Sequence, residues 1–217
     1  MKKIIITAGV FACAVAIASA QTVTSANIVG YTKVVASDSA LSLVAVNFIP
    51  ASSNVNDLIG AQLPVNSKLH IWNKSSGAYN TVTYSTTRAG TSWPASATLN
   101  LGDAFWIEVA PGGGSNEVIM AGEVLGDDLS TTIGGPIDAT GYFYPVSTTW
   151  GDTDLAAVLP ADSKLHLWDG SAYTTYTKTT TRAGTDWSVE AKARVINPAD
   201  GFWVEAPSTA WTEVVPY

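Results

Sequence analysis

The chain has 217 residues, 47% of them hydrophobic and 13% charged, with a formal net charge of −7. An average soluble domain carries roughly 25% charged residues; here Thr, Ser, Asn and Gly stand in their place, a composition that suits strands and turns. The ordinary apolar share excludes a disordered chain, and the acidic balance repels phosphate backbones, which excludes nucleic acid as a partner.

Residues 1–20 read as a secretory signal peptide. Lys2 and Lys3 form a basic start, Ile4 to Ile17 an apolar stretch, and Ala18-Ser19-Ala20 a small-residue cleavage site before Gln21. The stretch is too short for a transmembrane helix, and no other segment approaches the roughly 18 apolar residues that one needs. Lipidation of Cys13 is disfavoured by Phe11 and by the apolar residues that follow. Cleavage after Ala20 removes two lysines and the only cysteine, leaving 9 Lys and Arg against 18 Asp and Glu. The mature chain then has no disulfide, thiolate nucleophile or Cys-ligated zinc. The expected destination is the cell surface or the medium.

Asn27 to Val35 has strand composition. Asn56 to Leu63 is a short helical candidate with Asn as its N-cap. Lys68 to Trp72 alternates, with Leu69 and Ile71 on one face and Lys68, His70 and Trp72 on the other. Ala78 to Tyr84 interleaves Thr with aromatics, and Phe105 to Val109 turns Phe105, Ile107 and Val109 inward. Asn116 to Val124 is a last strand before a Gly- and Pro-bearing stretch that ends at Gly141. Beyond it, Asp152 to Leu159 is a second short helix, followed by strands at Lys164 to Trp168, Ala172 to Lys178, Phe202 to Glu205 and Trp211 to Val215.

The second half repeats the first. Leu63-Pro64-Val65-Asn66-Ser67-Lys68-Leu69-His70-Ile71-Trp72 returns as Leu159-Pro160-Ala161-Asp162-Ser163-Lys164-Leu165-His166-Leu167-Trp168. Thr86-Thr87-Arg88-Ala89-Gly90-Thr91-Ser92-Trp93 returns as Thr180 to Trp187, and Asp103-Ala104-Phe105-Trp106-Ile107-Glu108 as Asp200-Gly201-Phe202-Trp203-Val204-Glu205. Three blocks in one order predict a tandem duplication. The expected fold is all-β, with two copies of a small antiparallel sandwich or barrel-like repeat and one short helical turn per copy. Its expected division is a signal peptide at 1–20, an N-terminal strand plus first repeat at 21–125, a linker at 126–141 and a second repeat at 142–217. Nothing in the second copy corresponds clearly to the strand at Asn27.

Ser25-Ala26-Asn27-Ile28-Val29-Gly30-Tyr31 after a signal peptide, and Gly-Asp-Ala-Phe-Trp or Ala-Asp-Gly-Phe-Trp in each copy, resemble secreted duplicated β-repeat proteins of verrucomicrobial and planctomycete bacteria. The resemblance spans nearly the whole mature chain. It implies export and a duplicated β-architecture, and it brings no catalytic residues with it.

Two roles fit the tryptophans. As core filler, each ring removes about 150–250 Å² from water, a need of small repeats without disulfides. As a ligand platform, Trp106 and Trp203 are favoured, because alternation sets them opposite Phe105 and Phe202 and beside Glu108 and Glu205; these four are the candidate binding residues. His70 and His166, the only histidines, read as solvent-facing strand residues rather than parts of a triad or zinc site. Arg88 and Arg182 read as turn arginines paired with Asp103 and Asp200 or stacked on the following Trp. Asp127-Asp128 and the pair Asp152 and Asp154 lack the spacing of a calcium loop. No phosphate loop, nucleophile elbow or metalloprotease helix is present in the sequence. The expected function is therefore that of a secreted, non-catalytic β-repeat protein for surface display, adhesion or extracellular assembly. A carbohydrate-binding module with Trp platforms is the alternative, and an enzyme comes third. No cofactor or metal is expected; extracellular glycans or other surface proteins are the expected partners.

Overall fold

The structure is a computed structural model and describes residues 28–217; the signal peptide, Cys13 and the cleavage site lie outside them. Strands dominate, all paired antiparallel. In chain order the first half comprises β1 (Val29–Ser37), β2 (Ser42–Ala45), α1 (Val55–Leu58), β3 (Lys68–Asn73), β4 (Ala78–Thr83), β5 (Ser85–Thr87), β6 (Gly90–Ser92), β7 (Ala104–Glu108) and β8 (Ser115–Glu123). The second half comprises β9 (Leu129–Ile133), β10 (Ile137–Gly141), β11 (Thr148–Thr149), α2 (Asp154–Val158), β12 (Lys164–Trp168), β13 (Tyr173–Thr177), β14 (Thr179–Thr181), β15 (Gly184–Asp186), α3 (Val189–Lys192), β16 (Val195–Ile196), β17 (Gly201–Glu205) and β18 (Thr209–Glu213).

Each half holds one open four-stranded sheet, ordered β2-β7-β3-β4 in the first and β10-β17-β12-β13 in the second, a two-stranded ribbon, β1-β8 or β9-β18, and a small hairpin, β5-β6 or β14-β15; the second half adds the short pair β11-β16. Open edges rule out a closed barrel. The matched blocks also pair in matched register, His70 lying opposite Trp106 as His166 lies opposite Trp203. The stretch 126–141, expected as a linker, contains β9 and β10. β9 pairs with β18 as β1 pairs with β8, so the first strand does have a counterpart. Helix content is also larger than expected in the second half. A 3₁₀ turn at Trp150–Asp152 precedes α2, and α3 forms where the Ser188 hydroxyl accepts from the Ala191 N–H.

Alternation in the sheet decides what is buried. The inward residues Val44, Leu69, Ile71, Phe105 and Ile107 pack with Val118 and Met120 of the ribbon, with Val55 and Leu58 of α1, and with Trp93. The second core repeats this with Leu165, Phe202, Val204, Ile133, Trp211, Leu155 and Trp187. Trp93 and Trp187 hold equivalent places, and each indole N–H donates to a carbonyl of the helix region, Gly60 at 2.8 Å and Ala156 at 2.9 Å. Each half is thus a thin sandwich of a sheet against a ribbon. Gly30 and Gly122, paired across the first ribbon, both lie over Phe48; a Cβ on Gly30 would come within 2.6 Å of that ring. This close approach is the physical reason for glycine in Ile28-Val29-Gly30-Tyr31.

The halves are joined into one body through the outward faces of the two sheets. Ala45, Ala104 and Ala139 form a third apolar cluster with Trp203, Leu43 and Trp72. A side chain on Gly141 would collide with the Cβ of Ala45, and one on Gly201 would come within 2.9 Å of Leu43. Backbone bridges cross at Val44–Asp200 and Asp103–Thr140. Lys74 reaches the wholly buried carboxylate of Asp138 at 3.4 Å.

Truncating a buried Trp typically costs about 3–5 kcal/mol. Trp93→Ala and Trp187→Ala are therefore each expected to lower stability by about that amount, and by similar amounts, in urea unfolding followed by fluorescence. An unchanged midpoint in either variant would contradict the core assignment.

Candidate functional site

The residues that alternation turns away from each core all lie on the joined faces. In the first half they are Lys68, His70 and Trp72 of β3, Tyr79 and Thr81 of β4, and Trp106 and Glu108 of β7. The second half presents Lys164, His166, Trp168, Tyr173, Thr175, Trp203 and Glu205 in the same register.

Two chains of polar contacts run across these strands. Lys68 Nζ donates to Glu108 Oε1 at 2.7 Å, His70 Nε2 lies 2.9 Å from Glu108 Oε2, and His70 Nδ1 lies 2.8 Å from the Thr81 hydroxyl. In the second half Lys164 binds Glu205 at 2.8 Å and His166 Nδ1 meets Thr175 at 2.8 Å, but His166 Nε2 is 3.6 Å from Glu205. Glu108 and Glu205 thus serve as partners of a lysine and a histidine. The lysine hydrogen bond holds each carboxyl below its usual range. Hydroxyl, imidazole, carboxylate and ammonium thus form one polar chain that ties three strands of each sheet together.

The tryptophans meet across the junction. Trp72 packs edge-on against Trp203 with centroids 4.8 Å apart, and its counterpart Trp168 packs the same way against Trp106 at 5.2 Å. Tyr79 lies 6.0 Å from Trp203 and Tyr173 lies 6.3 Å from Trp106. The six rings are exchanged by swapping the halves, as in a twofold interface. Trp106 and Trp203, expected as an open platform, are each only 6% exposed. Non-local packing of one sheet on the other covers them.

The approximate symmetry fails in the hydrogen bonds. On one side Trp106 Nε1 donates to the Tyr79 hydroxyl at 2.7 Å and Trp168 Nε1 to the Leu41 carbonyl at 2.9 Å. On the other side the buried indole N–H groups of Trp72 and Trp203 have no acceptor at full hydrogen-bond distance, although Trp203 is near enough to the Tyr173 hydroxyl to act on it as a donor. There a cavity of about 470 Å³ opens, lined by Trp72, Ile137, His166, Tyr173, Thr175 and Trp203. Burial pushes the Tyr173 hydroxyl up to about 12 and holds His166 below its ordinary value near 6.5. Both are neutral hydrogen-bonding groups at pH 7.

Of the four expected binding residues, only Trp203 lines this cavity; Trp106 lies across the aromatic cluster, and Glu108 and Glu205 hold the lysine and histidine chains. His166, expected to face solvent, is a wall of the cavity. Trp72, Tyr173, Thr175 and Ile137 were not expected there, although Trp72 shares the alternation face of Lys68 and His70. Arg88 and Arg182 sit exposed on the β5-β6 and β14-β15 hairpin turns. Their expected partners are occupied, since Asp103 accepts from Asn100 and Asp200 from Asn197. Asp128 and Asp154 accept the N–H groups of Val215 and Val214, and Asp152 accepts the Thr149 hydroxyl. Among the described residues no three metal-ligating side chains come together. The chain matches no protein-family model, no curated protein and no solved structure.

A histidine whose folded value is depressed binds its proton more readily in the unfolded chain, so its contribution to stability is lost as pH falls from about 6.5 through the depressed value. NMR titration is expected to show His166 titrating below 6.5. A midpoint at or above that value would show that Glu205, and not burial, governs the ring.

Proposed function

We propose that the protein is an exported, non-catalytic binding protein that holds a sugar ring of an extracellular glycan in the aromatic cavity between its halves. The observation that carries this reading is the cavity itself: a ligand-sized space walled by the rings of Trp72, Trp203 and Tyr173. A pyranose offers a C–H face that stacks on indole and phenol rings. His166 and Thr175 add hydrogen-bonding capacity at the wall. Surface display alone needs no such cavity, whereas glycan capture is itself a means of adhesion. Extracellular assembly is a second reading, supported by the open strand edge described below.

A glycan array on the purified protein, followed by calorimetry on the hits, tests the proposal. Tyr173 is 44% exposed, so Tyr173→Ala is expected to leave the unfolding midpoint nearly unchanged and weaken binding by about tenfold or more. His166→Gln is expected to do the same, while His70→Gln, the matched change in the first half, leaves affinity intact. Absence of any bound glycan, or equal losses in His166→Gln and His70→Gln, would refute the cavity as the site. Turnover of a bound glycan would refute the non-catalytic reading.

A further inference from the structure

The two ribbons occupy equivalent places, yet their outer faces differ in kind. The outer face of β9-β18 carries Ser130, Thr132, Ala210 and Thr212. That of β1-β8 carries Val29, Tyr31, Val35 and Ile119, with Val29 at 73% and Tyr31 at 71% exposure, around the Lys33–Glu117 pair. The polar ribbon shows what this position requires when only water covers it.

The strand edges differ as well. The Val124 N–H donates to the Ile28 carbonyl, so in the antiparallel ladder the even-numbered residues of β1 bond to β8 and the odd-numbered ones turn N–H and C=O outward. The far edge of β8 shows the same parity and is closed. Ile49 exchanges both backbone bonds with Glu123, and the Gln62 amide accepts from the Ile119 N–H at 2.6 Å and donates to its carbonyl at 2.9 Å. On the far edge of β1, no hydrogen bond among the described residues reaches the backbone of Tyr31, Lys33 or Val35. A groove of about 380 Å³ lies alongside, lined in part by Lys33, Val35, Leu41 and Trp168. A long, apolar, uncapped edge is a template for another strand.

We propose that β1 pairs with β1 of a second copy of this chain, antiparallel across a twofold axis at Thr32, to give a continuous β8-β1-β1-β8 sheet. The register follows from the residues. Outward-pointing backbone groups must face each other, so odd residues pair with odd ones. Centring on Lys33 would give the longest overlap but set Lys33 on Lys33. Centring on Thr32 instead sets Tyr31 opposite Lys33 of the partner subunit, twice, and Val29 opposite Val35, twice. Those are cation–aromatic and apolar pairs with no like charges opposed. The same register brings the Thr32 hydroxyls together, and the Thr32 hydroxyl is one of the buried polar groups left without a partner.

Sedimentation velocity from low to high micromolar protein tests this, and a concentration-dependent dimer is expected. Tyr31→Lys places Lys on Lys at two points and is expected to weaken the dimer on the order of tenfold. Tyr31→Glu, which loses the same ring but opposes Lys33, is expected to retain or strengthen it. In a Cys13→Ser background, Thr32→Cys is expected to cross-link to itself under mild oxidation, because a non-hydrogen-bonded pair sets Cα atoms about 4.5 Å apart, within disulfide reach. Val34→Cys, opposite Gly30, is not. A monomer throughout the range, equal weakening by Lys and Glu at position 31, or cross-linking by Val34→Cys rather than Thr32→Cys would overturn the proposal. Circular dichroism of each variant separates loss of the dimer from loss of the fold.

Discussion

Close approach of two sheets through alanine and glycine is the contact on which the rest of the molecule depends. Small side chains at Ala45, Ala104, Ala139, Gly141 and Gly201 let β2 and β7 lie against β10 and β17 near backbone distance. Only at that separation can Trp72 reach Trp203 and Trp168 reach Trp106. A lone half would expose all these rings on a face that also carries lysine, glutamate and histidine. Joined, the faces become partly an aromatic core and partly a cleft rimmed by polar groups. Core and site are thus products of one interface.

The alternation of residues in the sequence is enough to locate most of this. Period two separates Leu69 and Ile71 from Lys68, His70 and Trp72, and the sheet keeps that division. The repeated blocks occupy repeated strands because each block carries its own inward pattern. Local signals fail where pairing is distant. β9 has only Leu129, Thr131 and Ile133 to mark it and lies beside Gly134-Gly135-Pro136, so its composition is that of a linker. Its partner β18 begins at Thr209, far along the chain. The burial of Trp106 and Trp203 belongs to the same class, since nothing in either strand encodes the sheet that covers it. Helix ends shift for a smaller reason: Asn54 and Thr153 act as caps, each accepting from the N–H two or three residues on, so α1 and α2 start at Val55 and Asp154.

Where the halves diverge, each difference has a local chemistry. Tyr84 packs on Trp93 at 5.1 Å in the first core. Lys178 takes that place in the second, where its buried ammonium donates to the carbonyls of Ala156, Ala157 and Leu159 at the end of α2. Three carbonyl acceptors offset the cost of burying the charge, though burial still lowers the lysine below its usual range. At the junction the indoles of Trp72 and Trp203 lack the close acceptors that Trp168 and Trp106 have, and the cavity sits on their side.

One buried group at the junction decides which half each half can pair with. Asn47, wholly buried, donates to the Tyr142 carbonyl and accepts from the Ala199 N–H. At the counterpart position Phe143 lies against Gly102, filling the space where a Cβ would be. The Gly102 N–H is already bound within its own half, to the Val46 carbonyl at 2.8 Å. Two first halves brought together would leave the Asn47 oxygen without that donor, and two second halves would drive Phe143 into the methyl of Ala199. Neither half is its own mate. The contacts close only between unlike halves, so a separated first half would find its mate in a second half and not in a copy of itself.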